Sequence, residues 1–461
     1  MSDSVAAHRL FPADPATRAL AGELFAPVEH APIISPHGHV DPLTLAEDRP
    51  FDDPATLLIS KDHYVTRLLH ASGVDLADLG VGGAPADPRS AWRLLAEHWH
   101  RFAGTASGYW IAEELRTLFG LTEPLAPASA DRIYDAMSAR LADPAFRPRA
   151  LFEAFRIEVL ATTDDPLDGL QTHRRLQQEG LRVLPTFRPD AYLDADSAQF
   201  DQRVHRLLDQ TGHSADFAGY LRALQDRRGH FVDSGAVSAD IGVLEPTTVD
   251  LDGAEAEALF ARILAGRSTA TERRQFRAHM LWQMARMSVD DGLVMTLHPG
   301  ILRNHSTETL RRHGPDTGHD IPVTTSFAAG LRPLLERFGL VPGFHLIVFT
   351  VDETTYSREI APLAGFYPSV FIGAPWWFLD APDAIGRFRA AVTETAGFYR
   401  GSGFIDDTRA FLSIPVRHDT ARRADAAFLA RLVIEGRVRR AEAERIMTDL
   451  VDAIPRQAFK L

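Results

Sequence analysis

Short apolar runs that end abruptly in polar side chains recur along the chain, and most are separated by enough residues for a helix. Continuous apolar runs of this kind are typical of buried parallel strands. Eight such runs, interpreted as strands, are 33–39, 157–163, 181–187, 230–240, 293–297, 344–350, 369–373 and 403–405. Strands that alternate with helices favour an α/β fold, and eight units predict a (β/α)₈ TIM-type barrel.

The segment 42–155 has a different pattern, with apolar residues repeating at a spacing of three to four. This spacing predicts helices near 62–72, 90–103, 109–119 and 129–141. The same spacing predicts a helix near 14–27, before the first strand. The segment is too long for a simple connection between two strands. We therefore interpret 42–155 as a helical insertion after the first strand, and 1–41 with 156–461 as the barrel, which ends in a helical extension.

The amino-acid composition argues against several classes of protein but does not indicate a function. The chain has 461 residues, 45% of them hydrophobic, and a net charge of −13, which disfavours nonspecific binding to nucleic acids or anionic membranes. It contains no cysteine, which excludes disulfides, thiolate catalysis and cysteine-ligated zinc. We see neither a signal peptide nor a membrane span, and expect a cytoplasmic protein without nucleic-acid or membrane partners.

The first predicted strand ends in His37-Gly38-His39. In an extended chain, residues two apart point to the same face, so both imidazoles can bind one metal ion. The chain has 19 histidines, however, and a His-x-His triplet is then expected roughly 0.8 times by chance. A second copy at 98–100 lies in a helical pattern and is interpreted as helix surface. The motif alone leaves both a metal site and coincidence open.

In a barrel, the His-x-His motif at the end of strand 1 would lie beside the end of strand 8. Catalytic residues of such barrels lie at the carboxyl ends of the strands, and strand 1 pairs with strand 8. His37, His39 and Asp407 can therefore converge on one divalent metal and leave coordination positions open for substrate. His298, after the fifth strand, either reaches the same pocket or is a hydrogen-bonded structural histidine. Further polar or aromatic residues at strand ends are Asp164, Arg188, Asp240, Trp376 and Arg409.

Several short stretches carry a resemblance to a known family through their order and spacing. They are Pro36-His37-Gly38-His39, Asp62-His63-Tyr64-Val65-Thr66-Arg67, Thr162-Thr163-Asp164-Asp165-Pro166, Phe187-Arg188-Pro189-Asp190, Leu297-His298-Pro299-Gly300 with Arg303-Asn304, Gly314-Pro315-Asp316-Thr317-Gly318, Trp376-Trp377-Phe378, and Asp407-Thr408-Arg409 with Phe411-Leu412-Ser413. Together they resemble the uronate isomerases, also called glucuronate isomerases, of the amidohydrolase superfamily. The resemblance implies aldose–ketose isomerisation, of glucuronate to fructuronate and galacturonate to tagaturonate, through an enediol intermediate.

The resemblance also implies roles for individual residues. The implied metal ligands, for a divalent ion such as zinc and with no organic cofactor, are His37, His39 and Asp407. The implied catalytic residues are Asp407, Tyr64, His63 and Arg409, and the implied substrate-binding residues are Arg188, Trp376, His298, Asp240 and Arg303. The partner would be a hexuronic acid, and we expect a homo-oligomer.

Simpler interpretations and two departures from the family pattern stay open. His63 and Tyr64 can be ordinary helix-face residues, and Arg188 an ordinary turn arginine. Where the family commonly has Ser-Asp-His-Gly, this chain has Ala239-Asp240-Ile241-Gly242, and Val351-Asp352-Glu353-Thr354 replaces an Asn-Pro-Asn-Asp stretch. These changes put the sugar preference in doubt. The rival functions are a metal-dependent hydrolase on the same barrel and a noncatalytic sugar-acid binding protein.

Overall fold

The computed structural model describes residues 7–83, 86–197 and 199–461, and its architecture is α/β. The strands of this part of the chain, β1 to β9, are Ile33–Ser35, Ile157–Ala161, Val183–Leu184, Ser238–Val243, Val294–Pro299, Ile301–Leu302, Ile321–Pro322, Leu346–Val348 and Val370–Ile372. All pair in parallel except β6 and β7, which form a short antiparallel ladder after β5. The predicted α/β class is confirmed.

The parallel strands follow one another in chain order. One sheet has the order β1-β2-β3 and a second has the order β4-β5-β8-β9. Phe187 joins the two, because it forms parallel bridges to Asp164 on one side and to Ala239 on the other. Every carboxyl end therefore points the same way, and polar side chains after different strands meet at one edge.

The chain after β9 continues this arrangement without a regular strand. Gly401 bridges Ile372 in parallel, and the backbone N–H of His39 donates to the carbonyl of Thr408 over 3.0 Å. The predicted strand 403–405 was wrong, since none of its residues is in a ladder. Gly403 has φ of +74°, so the backbone is not extended there. A Cβ at this position would lie 2.9 Å from Pro455 of the helix Ala453–Phe459, which packs closely on this segment.

The predicted strand 230–240 was wrong in its first half. Residues Phe217–Asp233 form a helix, and β4 begins only at Ser238. The helix ends before Gly235, whose φ of +90° favours glycine and breaks the helical conformation. The wrong prediction arises because apolar residues near the end of this helix resemble the start of a buried strand.

Helices form the outer layer and fill the connection between β1 and β2. The α-helices are Pro15–Phe25, Pro42–Glu47, His63–Ala71, Pro88–His98, Ala106–Thr117, Ala130–Leu141, Pro148–Ala154, Gln171–Gln178, Asp190–Leu193, Phe200–Thr211, Phe217–Asp233, Gly253–Leu264, Ala270–Asp291, Thr307–His313, Phe327–Gly330, Arg332–Phe338, Ala361–Phe366, Pro382–Ala396, Ile414–Ile434, Arg440–Val451 and Ala453–Phe459. The predicted helices of 14–27 and 62–141 are confirmed within a few residues. Among the described residues, no helix is long and apolar enough to cross a membrane.

The core consists of separate apolar clusters. The largest packs the strands from β4 onward against their outer helices, and a second packs β1 and β2 against the helices of 42–155. A third joins the two ends of the chain, where Leu20 and Leu24 contact residues of the helices Ile414–Ile434 and Arg440–Val451. On the side where the strands begin, the ammonium of Lys460 donates to the carbonyl of Gly292 over 2.6 Å.

Candidate active site

A cavity of about 830 Å³ opens where the parallel strands end. Its wall combines the ends of β1 and β5, the first residues of the helix His63–Ala71, the segment after 401, and Lys61. The predicted site residues that line it are His37, His39, His63, Tyr64, Arg188, His298, Arg303, Trp376, Asp407 and Arg409. Asp240 does not line it and is fully buried behind the wall.

Asp407 lies between the two histidines of the first strand. Its Oδ1 is 3.2 Å from Nε2 of His37 and 3.1 Å from Nε2 of His39. The other ring nitrogen of His39, Nδ1, lies 2.6 Å from the hydroxyl of Thr163. Burial alone would raise the pKa of Asp407, but hydrogen bonding to His37 and His39 holds it well below its usual range. Asp407 is therefore an ionised carboxylate at neutral pH.

Asp240 orients His298 from behind the wall. Its Oδ1 accepts from Nδ1 of His298 over 2.6 Å and from the hydroxyl of Thr296 over 2.8 Å. With the proton on Nδ1, Nε2 of His298 carries a free lone pair, and this buried nitrogen has no hydrogen-bond partner among the described residues. A carboxylate that fixes the tautomer in this way is typical of histidines that bind metals.

The side chain at 241 bears on the first departure from the family pattern. Ile241 is fully buried and belongs to the large apolar cluster, and it does not line the cavity. Because side chains alternate along a strand, Asp240 faces inward and Ile241 faces the outer helices. Replacement of histidine by isoleucine at this position therefore leaves the cavity wall unchanged. Asp352, in the second departure, also lies outside the wall.

The donor set fits a divalent metal ion. His37, His298 and Asp407 each offer a ligand atom, and these three atoms lie within 4.8 Å of one another. Nε2 of His298 is buried without a hydrogen-bond partner in the described chain, as expected of an atom that awaits a ligand. His39, predicted as a ligand, is outside this group of three but lies against Asp407. Burial lowers the pKa of His39 to about 4, so its imidazole is neutral, as a ligand must be.

Arg188 is held by two carboxylates. Its Nε donates to Asp190 over 3.0 Å, and its Nη1 lies 3.1 Å from Oδ2 of Asp240. Asp190 also accepts from the backbone N–H of Gly242, where a Cβ would come within 2.9 Å of its carboxylate. Arg188 is thus fixed in place with its charge compensated, and it is more than a turn arginine.

His63 and Tyr64 owe their position to the start of one helix. Asp62 caps the helix His63–Ala71 by accepting from the backbone N–H of Tyr64 over 2.8 Å. The first two helical residues thereby project into the cavity. Burial lowers the pKa of His63 to about 4 and raises the pKa of Tyr64 above its usual range, so the imidazole and the phenol are both neutral.

Two arginines at the mouth share one carboxylate. Asp316 accepts from Nη2 of Arg409 over 3.0 Å and lies 3.6 Å from Nη1 of Arg303. Arg303 also donates to Asp320 over 2.9 Å. Both arginine side chains are more than 40% exposed, in contrast to Arg188. An incoming anion therefore meets these two guanidiniums with less desolvation than Arg188.

Trp376 combines a core role with a wall role. It is buried in an apolar cluster with Phe349 and Trp377, and its ring meets that of His298 edge-on at 4.7 Å. His298 in turn stacks on Phe349 at 4.0 Å and on His37 at 4.7 Å.

The charged residues of the wall that were not predicted as site residues include Asp190, Asp316 and Arg417. Asp190 and Asp316 were quoted within motifs but given no role. Arg417 was not among the predicted site residues, yet it lines the cavity. The signal for Asp190 was its place two residues after Arg188 in the same motif, whereas the motif of Asp316 contains no arginine. Arg417 lies in a helix, where the strand-end rule gives no signal.

The geometry agrees with what comparison with known proteins finds. A sequence model of a family described as glucuronate isomerase matches residues 15–459. The chain belongs to the glucuronate isomerase family. The family predicted from the motifs is confirmed, and with it the class of enzyme.

Individual members of the glucuronate isomerase family match over nearly their whole length. A uronate isomerase of Corynebacterium efficiens is 52% identical over 469 residues, covering 100% of each chain. The crystal structure of glucuronate isomerase from Caulobacter crescentus superposes with a TM-score of 0.96 at 48% identity, covering 98% of this chain and 96% of that one. That of uronate isomerase from Thermotoga maritima gives 0.92 at 28% identity, covering 98% of both.

Proposed function

We propose that this protein interconverts D-glucuronate and D-fructuronate, and D-galacturonate and D-tagaturonate, as an aldose–ketose isomerase. The observation that carries the proposal is an ionised carboxylate, Asp407, held between His37 and His39 on the wall of a cavity, in a chain that matches the glucuronate isomerase family from 15 to 459. The reaction moves one proton between adjacent carbons, and such a carboxylate can act as its base.

In the proposed mechanism, Asp407 takes the proton from C2 of the open-chain aldose. The electron pair of the C2–H bond forms the C1–C2 double bond of an enediol, and the carbonyl oxygen at C1 takes up negative charge. Asp407 then returns the proton to C1, while the hydroxyl at O2 gives up its proton to form the C2 carbonyl and O1 takes up a proton to become the hydroxyl of the ketose. The low pKa of Asp407 keeps it in the basic form over the neutral range.

Three neighbouring side chains stabilise the oxygens as charge develops on them. The phenol of Tyr64 is neutral and can donate a hydrogen bond or a proton to O1 or O2. His63 and Arg409 line the same wall, and the guanidinium of Arg409 supplies a positive charge. These donors are positioned by a helix start and a loop before substrate arrives, so little reorganisation is needed.

Arginines hold the carboxylate of the sugar acid in this proposal. The sequence resemblance implies that Arg188 binds the substrate. Its ion pairs with Asp190 and Asp240 compensate its charge, however, and leave it little net attraction for a second carboxylate. Arg303 lies at the mouth beside Arg409, so we propose that it shares the task. Trp376 and His298 supply the wall against which the carbon chain lies, and Asp240 acts through both Arg188 and His298 rather than by touching the sugar.

We also propose that the metal is zinc, held by His37, His39 and Asp407, with His298 as a further ligand candidate. The metal would supply a positive charge for hydroxyl and carbonyl oxygens of the substrate. The unpartnered Nε2 of His298, within 4.8 Å of the ligand atoms of His37 and Asp407, supports a resident cation.

The architecture supports a (β/α)₈ barrel formed by 1–41 and 156–461, with 42–155 as a helical insertion. Its support is the chain-order parallel pairing and the hydrogen bond from His39 to Thr408, which lies where strands 1 and 8 of a barrel would meet. The insertion is supported by the described residues between β1 and β2, which form helices and no strand. A cytoplasmic location and a homo-oligomer remain part of the proposal, and light scattering of the purified protein measures the second.

The direct test is to incubate purified protein with D-glucuronate or D-galacturonate and to follow ketose formation. We expect turnover with at least one of the two. Absence of turnover with both, together with hydrolysis of ester, amide or lactone substrates, would replace the isomerase with the metal-dependent hydrolase.

A further inference from the structure

Arg417 connects the segments that carry the catalytic groups. It lies near the start of the helix Ile414–Ile434, is 3% exposed, and lines the cavity. Its Nη1 donates to Oδ2 of Asp380 over 2.7 Å and to the backbone carbonyl of Asp406 over 3.2 Å. A buried arginine at this point contacts both the chain that follows β9 and the residue that precedes Asp407.

The backbone at Asp407 needs such support. Asp407 has φ of +43°, a left-handed conformation that costs a residue with a side chain on the order of 1 kcal/mol. The preceding residue, Asp406, is held at its carbonyl by Arg417 and at its carboxylate by His418, whose Nε2 lies 3.1 Å from Oδ2. Consecutive residues of one helix thereby fix the peptide that presents the Asp407 carboxylate to the cavity.

Arg417 also contacts two aromatic rings that lie far from it in the sequence. Its guanidinium lies 3.9 Å from the ring centre of Trp110 and 5.4 Å from that of Tyr64. The rings of Tyr64 and Trp110 meet edge-on at 5.9 Å, so the three groups form one packed unit. Stacking of this kind depends on the planar guanidinium, which lysine lacks.

We propose that Arg417 is a positioning residue that holds Asp407 and Tyr64 at the separation that proton transfer requires. The proposal rests on the proposed isomerase function and extends it to a group that acts through its neighbours. Asp380 compensates the charge of Arg417, so the guanidinium offers the sugar acid little net attraction. Its loss should therefore lower kcat and leave KM nearly unchanged.

The experiment compares Arg417→Ala with Arg422→Ala, a matched control on the same helix. Arg422 is also buried, but it binds the carbonyls of Val28, Glu29 and Pro32 and lies outside the cavity. We expect Arg417→Ala to lower kcat about 10- to 100-fold with KM within about threefold, because displacements near 1 Å have effects of this size. Arg422→Ala should lower the melting temperature and leave kcat near that of the wild type.

Rescue by guanidinium ion separates positioning from general destabilisation. Millimolar guanidinium chloride, far below denaturing concentrations, should restore part of kcat in Arg417→Ala and none in Arg422→Ala. Sodium chloride at the same concentration is the control for ionic strength. If Arg417→Ala does not fold, Arg417→Lys keeps the charge and loses the stacking, and the same drop in kcat with unchanged KM is expected.

The outcomes are distinguishable from failure of the proposed function. If the wild type turns over no hexuronate, the proposed function fails and the variants are not informative about catalysis. If the wild type is active and Arg417→Lys keeps full kcat, or if Arg417→Ala raises KM alone, the positioning role is overturned. Equal losses of kcat in Arg417→Ala and Arg422→Ala would also overturn it.

Discussion

At the scale of single residues, Asp407 meets two requirements that usually conflict. A base must be ionised, and a carboxylate taken out of water tends to be protonated. Contact with the imidazoles of His37 and His39 reverses that tendency and keeps the group charged. Asp407 also belongs, with His37 and His298, to the group of three residues whose ligand atoms could hold a metal ion.

Replacing Asp407 by asparagine should therefore abolish turnover without unfolding the protein. General-base catalysis contributes about 100- to 10,000-fold, and we expect a loss of kcat in that range for Asp407→Asn. Asp352→Asn is the matched control. This carboxylate follows β8, accepts a hydrogen bond from the backbone N–H of Thr354 and lies outside the cavity. Near wild-type kcat in Asp407→Asn would remove Asp407 from the role of base.

Glu114 shows the opposite behaviour from Asp407. It is buried on the helix Ala106–Thr117, and its Oε2 has no hydrogen-bond partner among the described residues. Burial, reinforced by Asp62 and opposed by Arg417, raises the pKa of Glu114 from 4.5 to about 8. The folded protein therefore binds a proton at this position that the unfolded chain releases at neutral pH.

This linkage makes stability fall with rising pH. The contribution of Glu114 is fully present below pH 4.5 and is lost as pH rises to about 8, a difference on the order of 4 kcal/mol. Glu114→Gln keeps the shape and removes the titration. Thermal unfolding should give similar melting temperatures for both proteins near pH 4.5 and a higher one for the variant near pH 8.5. A constant difference between the two pH values would contradict the assignment.

At the scale of elements, the helix His63–Ala71 is fixed by close contact with the loop after the helix Thr307–His313. Gly318 of that loop has φ of +93°, and a Cβ there would lie 2.8 Å from Cβ of Arg67 and 3.1 Å from the carbonyl of His63. The backbone itself must shift to accommodate a methyl group. Because His63 and Tyr64 lie at this helix start, the shift would reach the cavity.

Gly318→Ala should accordingly reduce kcat/KM by at least about tenfold. Gly73→Ala is its control: Gly73 follows the other end of the same helix, has φ of +97°, and has open space where the Cβ would lie. Both variants carry similar backbone strain of about 1 kcal/mol. Steady-state kinetics on hexuronate compares them, and equal losses in the two would mean that strain alone, rather than contact with the helix, matters.

The sequence predicted helices and strands well in segments that show only one kind of hydrophobic pattern. The apolar runs that became β2, β5 and β8 were found because a short continuous apolar run is typical of a fully buried strand. The run near 231 misled because Phe231 and Val232 end a helix whose pattern begins at Phe217. The strands β6 and β7 are each two residues long, which is too short for a hydrophobic periodicity to be visible in the sequence.

The candidate site was predictable from sequence to the extent that its residues follow strands or belong to distinctive motifs. His37, His39 and Asp407 were assigned from spacing and order, and the structure brings them into contact. Asp316 and Arg417 escaped because their roles arise from contacts between distant segments. A loop carboxylate looks like any surface aspartate until Arg303 and Arg409 are brought beside it.

At the scale of the whole molecule, the two ends of the chain are packed together. Leu20 and Leu24 of the first helix lie in one apolar cluster with residues of the helices Ile414–Ile434 and Arg440–Val451. Arg422 ties the same helix to the carbonyl of Val28 just before β1. The packing of the termini therefore supports the strand that carries His37 and His39, at a distance from the cavity.

Leu24→Ala should lower stability and leave catalysis unchanged. Leu24 is 2% exposed, and truncation of such a leucine costs about 2–5 kcal/mol. Glu23→Ala is the control, since it removes only a surface ion pair with Arg440, worth at most about 1 kcal/mol. Differential scanning calorimetry measures the stability change, and kcat/KM well below the melting temperature should be equal in both variants. A change in KM for Leu24→Ala would indicate that the chain ends influence the cavity directly.

The sequence contains two lysines, and the fold separates them by the full height of its parallel strands. Lys61 lies on the cavity wall, and Lys460 lies beside Gly292, on the side where β5 begins. Reagents that couple to side-chain amines can therefore attach at these two opposite faces. If a bound sugar acid shields Lys61, Lys460 becomes the preferred side-chain attachment point, and coupling there would immobilise the protein with its cavity facing away from the support.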